Sequence, residues 1–184
     1  MRQFEVLRSL QMSPSADNAK GAFCIHPCPC GCWATRPFGN CTCSPAMVTR
    51  YQKRISGPLL NRFDIHMEVP RVEYEKLASD RAGEPSEVIR QRALAARERQ
   101  QARFKGTPLT CNADMGPAHI REYCEVGEAG KSLMRAAMQQ LDMSARSFHR
   151  VLKLARTTGD LEGLEKIQAA HLAEALQYRP RRQG

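Results

Sequence analysis

At about 150 residues per domain, a chain of 184 residues holds one domain and part of a second, and its 42% hydrophobic and 26% charged residues place it among globular chains and exclude wholesale disorder. There are 28 Lys and Arg against 19 Asp and Glu, a formal net charge of +9, while only 6% of residues are aromatic, so a basic surface is expected rather than a series of stacking platforms for single-stranded nucleic acid. No apolar run approaches the roughly 18 residues that cross a bilayer, and Glu5 interrupts the N-terminal stretch, so no membrane partner is expected and the expected compartment is the cytoplasm.

FEVLRSL at the start reads as a helical turn or two and gives way to QMSPSADNAKG, a loop composition. The next segment holds Cys24, Cys28, Cys30, Cys32, Cys41 and Cys43, and Pro27, Pro29 and Pro37 remove the amide donors that a regular helix or strand needs. Ser44-Pro45 is a helix start, a side-chain cap followed by proline where its missing N–H costs nothing. Met47, Tyr51 and Ile55 would share one face of that helix, which should stop near Gly57-Pro58. From Arg62 to Pro70, Phe63, Ile65, Met67 and Val69 alternate with Asp64, His66 and Glu68, the period of a strand.

Beyond residue 72 the period is helical. Ser86 is the expected cap of a helix over 87–104, with an apolar stripe of Ile89, Ala93, Leu94 and Ala96 and other faces carrying Arg90, Arg92, Arg97, Arg99, Arg103 and Lys105. Four more helices are predicted over 116–125, 128–141, 145–158 and 164–177, the third capped by Ser144, lined by Phe148, Val151, Leu152 and Ala155, and broken by Gly159-Asp160. The chain thus divides near residue 84, at Ala82-Gly-Glu-Pro85. One strand makes no sheet by itself, so the first part reads as a piece of a sheet whose other strands are missing or supplied elsewhere.

Six clustered cysteines without an export signal favour metal or reduced thiols over disulfides. Cys28-Pro-Cys30 and Cys41-Thr-Cys43 are two tight pairs that can surround one tetrahedral zinc ion, with Cys24, Cys32 and His26 as substitutes. Four thiolates close the coordination sphere, so the site would be structural, and the metal would order a loop that hydrogen bonding cannot. The plainer reading is a mobile loop of unliganded thiols. Cys111 and Cys124 stand alone as buried or half-buried thiols. Gly130-Lys131-Ser132 imitates a phosphate-binding loop, but position 125 is Glu where that motif needs Gly, and the tripeptide lies in a helical pattern. Arg62 opens the predicted strand and Arg146 the first turn of a helix whose dipole it opposes, so each is either a solvated side chain or a cation awaiting an anion.

Taken in order, HPCPCG (26–31), CTCSPA (41–46), RYQKRISGPLLNRFDIHMEVPRV (50–72), SARSFHRVLKLARTTGDLEG (144–163) and HLAEALQYR (171–179) resemble the C-terminal half of the magnesium-chelatase-like AAA+ ATPases of the ComM and YifB type. The resemblance implies an α/β fragment followed by an all-α part. Residues 1–84 would be the end of an AAA+ core, with an incomplete sheet and the cysteine-rich loop, and 85–184 a helical lid. It implies Arg62 as an arginine finger acting on nucleotide bound by a neighbouring subunit, Arg146 as the sensor 2 arginine, and His26 at the sensor 1 position, where the family carries Asn. It also aligns Cys28, Cys30, Cys41 and Cys43 with the family's paired cysteines. ATP and magnesium are implied only for a complete member, since the Walker A and B elements lie in the part of the family that this chain lacks. The implied partners are further AAA+ subunits in a hexameric ring, with DNA as a further candidate, and the implied family activity is ATP-driven DNA remodelling. The alternatives are a zinc-stabilised basic DNA-binding module without ATPase activity, or a remnant without function.

Overall fold

Helix-starting chemistry is met at once in the computed structural model, which describes residues 28–30, 41–54, 63–67, 72, 74, 78 and 83–179. Ser44 caps helix α1 (Pro45–Gln52) by accepting the Met47 amide at 3.3 Å, with Pro45 in the first turn. The helix ends at Gln52, earlier than Gly57, and its buried side chain is Val48 rather than Met47, which is exposed. Ile55 lies outside the described residues. The chain forms two compact units, Met1–Gly57 and Pro58–Gly184.

In the second unit, the regular structure among the described residues is helical: α2 (Ser86–Arg103), a 3-10 turn (Asn112–Asp114), α3 (Pro117–Tyr123), α4 (Glu128–Gln140), α5 (Ala145–Glu162) and α6 (Ala169–Gln177). α5 is the hub, packing against α2, α3, α6 and the 3-10 turn, while α4 packs on α6. Phe104, Met115, Ile120, Met134, Val151, Leu152, Ile167 and Leu172 form its core with Cys124 and three alanines, Ala137, Ala155 and Ala175. The predicted face of α5 is the one buried, since Val151, Leu152 and Ala155 are core residues and Phe148 packs against them.

Four expectations need correction. Ser86 lies inside α2 and makes no cap; Pro85 stands at the cap position. The apolar stripe of α2 is only partly buried: Ala96 and Gln100 pack, but Ile89 and Leu94 are exposed because the N-terminal turns run beyond the bundle. Gly159-Asp160 does not break α5, which continues to Glu162 because buried partners hold Asp160 inside it; the helix ends instead at Gly163, in the left-handed region at φ 80°. Finally, Phe63–Met67 forms no strand, since strand geometry needs a partner ladder and the described residues hold only an isolated parallel bridge, Val126 to Ile167. Ile65 and Met67 are 52% and 68% exposed. The remainder of that predicted strand, the FEVLRSL segment, and the parts of the core sheet expected from the family lie outside the described residues. No helix among the described residues is long and apolar enough to cross a membrane.

Candidate functional site

Two places carry chemistry, one in each unit. In the first, Cys28, Cys30, Cys41 and Cys43 bring their Sγ atoms within 4.8 Å of one another. Cys28 lies 3.3 Å from Cys30 and 3.9 Å from Cys41, and Cys30 lies 3.5 Å from Cys41. A tetrahedron built with zinc–sulfur bonds of about 2.3 Å has edges of about 3.8 Å, and the four sulfurs are close enough together that they could hold such an ion. Cys28 is buried, Cys30 is exposed, and Cys41 and Cys43 are half-buried. Cys43 runs directly into the Ser44 cap of α1, so a helix start anchors the second cysteine pair.

The thiols oppose one another's ionisation. At Cys41 the Cys43 backbone amide lowers the pKa, but burial and the hydrogen bonds and charge of the Cys30 and Cys28 sulfurs outweigh it, and the thiol is pushed up to about 11. Cys43 is also raised: the Cys30 amide lowers it, and the hydrogen bond from the Cys30 sulfur with some burial prevails. Concentrated thiolate charge is the condition that a bound dication relieves. Among the sequence-derived substitutes, Cys24, Cys32 and His26 lie outside the described residues.

The second place is the start of α5. Ser144 accepts the Ser147 amide at 3.3 Å, and Arg146 is exposed in the first turn. Arg179, just beyond α6, donates to the Ser147 hydroxyl at 2.9 Å. Burial, then the nearby positive Arg150, pushes the Arg179 pKa down. One turn after Arg146, the Arg150 Nε stands 3.3 Å from the Asp64 carboxylate, and the His66 amide donates to the Tyr178 carbonyl at 2.8 Å. The residue before Phe63, Arg62, lies outside the described residues. Asp64, Arg150 and Tyr178 each lie in one of the quoted family blocks, but nothing in the sequence indicated that they would meet.

Sequence reasoning also missed a buried polar node. Asp160 is completely buried and accepts from Arg103 with both guanidinium nitrogens, from Asn112 at 2.8 Å, and pairs with Arg156 at 3.1 Å. Arg156 also donates to the carbonyls of Leu164 and Glu165, and Arg99 donates to the Asp160 carbonyl at 2.9 Å. Arg99 and Arg103, expected on solvent faces, thus turn toward α5. The hydrogen bonds that Arg103 donates to Asp160 raise the Arg103 pKa, whereas burial lowers that of Arg156. Buried His171 accepts the Gln168 amide on Nδ1 at 3.1 Å, which leaves its proton on Nε2, 2.9 Å from the Glu162 carboxylate. Lys131 of the apparent phosphate loop is an exposed residue of α4 paired with Glu128 at 2.7 Å, and Cys124 is buried, its thiol pushed up to about 11 chiefly by that burial. Cys111 is half-buried.

Residues 83–179 match the family model described as magnesium chelatase, subunit ChlI C-terminal, and residues 16–77 match the one described as magnesium chelatase, subunit ChlI. The chain is 38% identical over 138 residues to the competence protein ComM of Haemophilus influenzae and 36% identical to the YifB protein of Escherichia coli, covering 74% of this chain and 26% of each relative. A Mycobacterium bovis protein, Mb2921c, is 30% identical over 84% of this chain and 30% of its own length. The chain therefore spans between a quarter and a third of the curated relatives it matches. With both models matching in order along its length, the chain belongs to the magnesium-chelatase-like ComM/YifB family.

Proposed function

We propose that this chain supplies the trans-acting part of a magnesium-chelatase-like AAA+ ATPase, with residues 1–84 completing a core and 85–184 serving as its lid. Arg62 is the arginine finger that reaches nucleotide held by a neighbouring subunit, Arg146 is the sensor 2 arginine, and His26 stands at the sensor 1 position. Support comes chiefly from the ordered match of both family models, while Gly130-Lys131-Ser132 lies within α4 and not at a phosphate loop. ATP and Mg2+ are then bound in the context of a complete family member, by its Walker elements. The assembly is a ring of AAA+ subunits in the cytoplasm, acting on DNA.

Zinc is the group that the four cysteines would hold. Cys28, Cys30, Cys41 and Cys43 would be its thiolate ligands, and when bound it would supply order to the loop and not a reactive centre, because four sulfurs leave no position for water.

Two measurements test the ATPase reading. Titration calorimetry with ATP and Mg2+ is expected to give no micromolar binding to the isolated chain, and such binding would contradict it. Added to a full-length relative whose own matching arginine is replaced by alanine, the chain is expected to restore ATP hydrolysis by about 10^3-fold or more, and its Arg62→Ala form is not.

A second reading, a zinc-stabilised basic DNA-binding module, is favoured by the exposed Arg90 and Arg97 on α2. It requires salt-sensitive duplex binding that is indifferent to Arg62→Ala but weakened by Arg90→Ala with Arg97→Ala.

A further inference from the structure

The four clustered sulfurs of the first unit are not equally placed. Cys28 is fully buried, Cys41 and Cys43 are half-buried, and Cys30 is exposed. A solute arriving from water therefore meets the Cys30 sulfur first. That sulfur stands 3.3 Å from Cys28 and 3.5 Å from Cys41, and the described cysteines form no disulfide.

The two neighbours differ as partners for a covalent bond. Cys28 is two residues from Cys30 with Pro29 between them, so a bridge there would close a very small ring around a residue of fixed φ. Cys41 is 11 residues away in the chain and belongs to the other pair, so a bridge to it forces no such ring. Bonded sulfurs stand about 2 Å apart, and Cys30 and Cys41 need to close by only about 1.5 Å.

We propose that the cluster is a peroxide-sensitive zinc switch in which Cys30 is the reacting sulfur and Cys41 the resolving one, so that oxidation ejects the metal. This rests on the zinc reading of the four cysteines. Ligation keeps Cys30 as a thiolate, the nucleophilic form. The Cys30 thiolate attacks one oxygen of hydrogen peroxide: an S–O bond forms, the O–O bond breaks, and the departing hydroxide takes a proton and leaves as water. Cys30 is then a sulfenic acid. The Cys41 thiolate attacks the Cys30 sulfur, an S–S bond forms, the S–O bond breaks, and a second hydroxide takes a proton and leaves as water. Two electrons pass from the sulfur pair to the peroxide. Cys28 and Cys43 remain, half of the tetrahedral set, too few to hold the ion. Excess thiol reverses the bridge by exchange and restores Cys30 and Cys41 as ligands.

The test uses the complete 184-residue chain, purified reduced and loaded with zinc. One equivalent of hydrogen peroxide is expected to release most of the zinc, read with a chromogenic chelator, and to leave a Cys30–Cys41 disulfide in the peptide map. Dithiothreitol with added zinc should reverse both changes. Release should be slower by about tenfold or more in Cys30→Ser and unchanged in Cys111→Ser. Should Cys30→Ser fail to retain metal, the peptide map of the wild-type chain decides. Zinc kept at full occupancy by the peroxide-treated wild-type chain would overturn the proposal. So would release with a bridge that omits Cys30 or Cys41, one to Cys24 or Cys32 included. A reduced chain that binds no zinc would instead remove the zinc reading, and the switch with it.

Discussion

Arg103 of α2 and Asp160 of α5, 57 residues apart in the chain, meet in a forked pair whose carboxylate is wholly shielded from solvent. Arg156 and Asn112 close around the same carboxylate, so one anion balances two guanidinium groups. Asp160→Asn keeps the shape and removes the charge, stranding Arg103 and Arg156. Removing one member of a buried pair costs about 3–5 kcal/mol, and urea denaturation of the variant is expected to show a loss of that order. A loss below about 1 kcal/mol would mean that water reaches the node.

The two glycines near the end of α5, Gly159 inside the helix and Gly163 at its cap, serve different ends. A Cβ on Gly159 would stand 2.9 Å from the Arg156 Nη2 and 3.3 Å from the His171 Nδ1, and Arg156 is tied to two carbonyls and cannot swing aside. Gly159→Ala is therefore expected to destabilise by about 1–3 kcal/mol despite the higher helix propensity of alanine. At Gly163 the φ of 80° is the obstacle, and Gly163→Ala is expected to cost about 1–2 kcal/mol. Thermal melts of the two variants check both, and a Gly159→Ala chain as stable as wild type would show that the Arg156 guanidinium is free to move.

Asp114 supplies a pH signature. The Thr110 hydroxyl donates to its carboxylate, opposed by some burial and joined by the Thr110 and Cys111 amides, and the pKa falls from 3.8 to about 2. A folded pKa below the unfolded one stabilises at pH above 3.8, and that contribution is lost as pH drops toward 2. The carboxylate is exposed, so the effect should stay below about 1 kcal/mol. Urea midpoints across that window should fall more steeply for wild type than for Asp114→Asn, and parallel curves would refute the assignment.

Purified under reducing conditions, the chain is expected to carry about one zinc per molecule by elemental analysis. Cys28→Ser, which removes the most buried sulfur of the cluster, should reduce that ratio strongly, whereas Cys111→Ser should leave it unchanged. A ratio near zero in wild type would remove the metal from the description of the first unit.

Much was legible where the deciding interaction is local. Ser44-Pro45 and Ser144 announced α1 and α5 because a cap bonds an amide three residues on, and α4 was placed from its period alone. The paired cysteines were legible for a similar reason: two residues of the same chemistry at a spacing of two cannot be far apart, and only the meeting of the pairs needed a fold. The Arg-Phe-Asp block marked Arg62 as a candidate, though not what holds the segment.

The tertiary structure decided whatever depends on a distant partner. Gly159-Asp160 reads locally as a helix stop, yet α5 runs through it because Arg103, Arg156 and Asn112 supply the carboxylate with a buried counter-charge. The alternation from Phe63 to Val69 reads as a strand, yet over the described part of that run none forms, since a ladder needs a second strand and these residues instead find Arg150 and the Tyr178 carbonyl. Sequence alone thus determined the family, the capped starts of α1 and α5 and the thiol pairs, through contacts within a few residues. Folding decided which charges are buried and which segment is tied to α5, because burial and ion pairing are properties of neighbours in space.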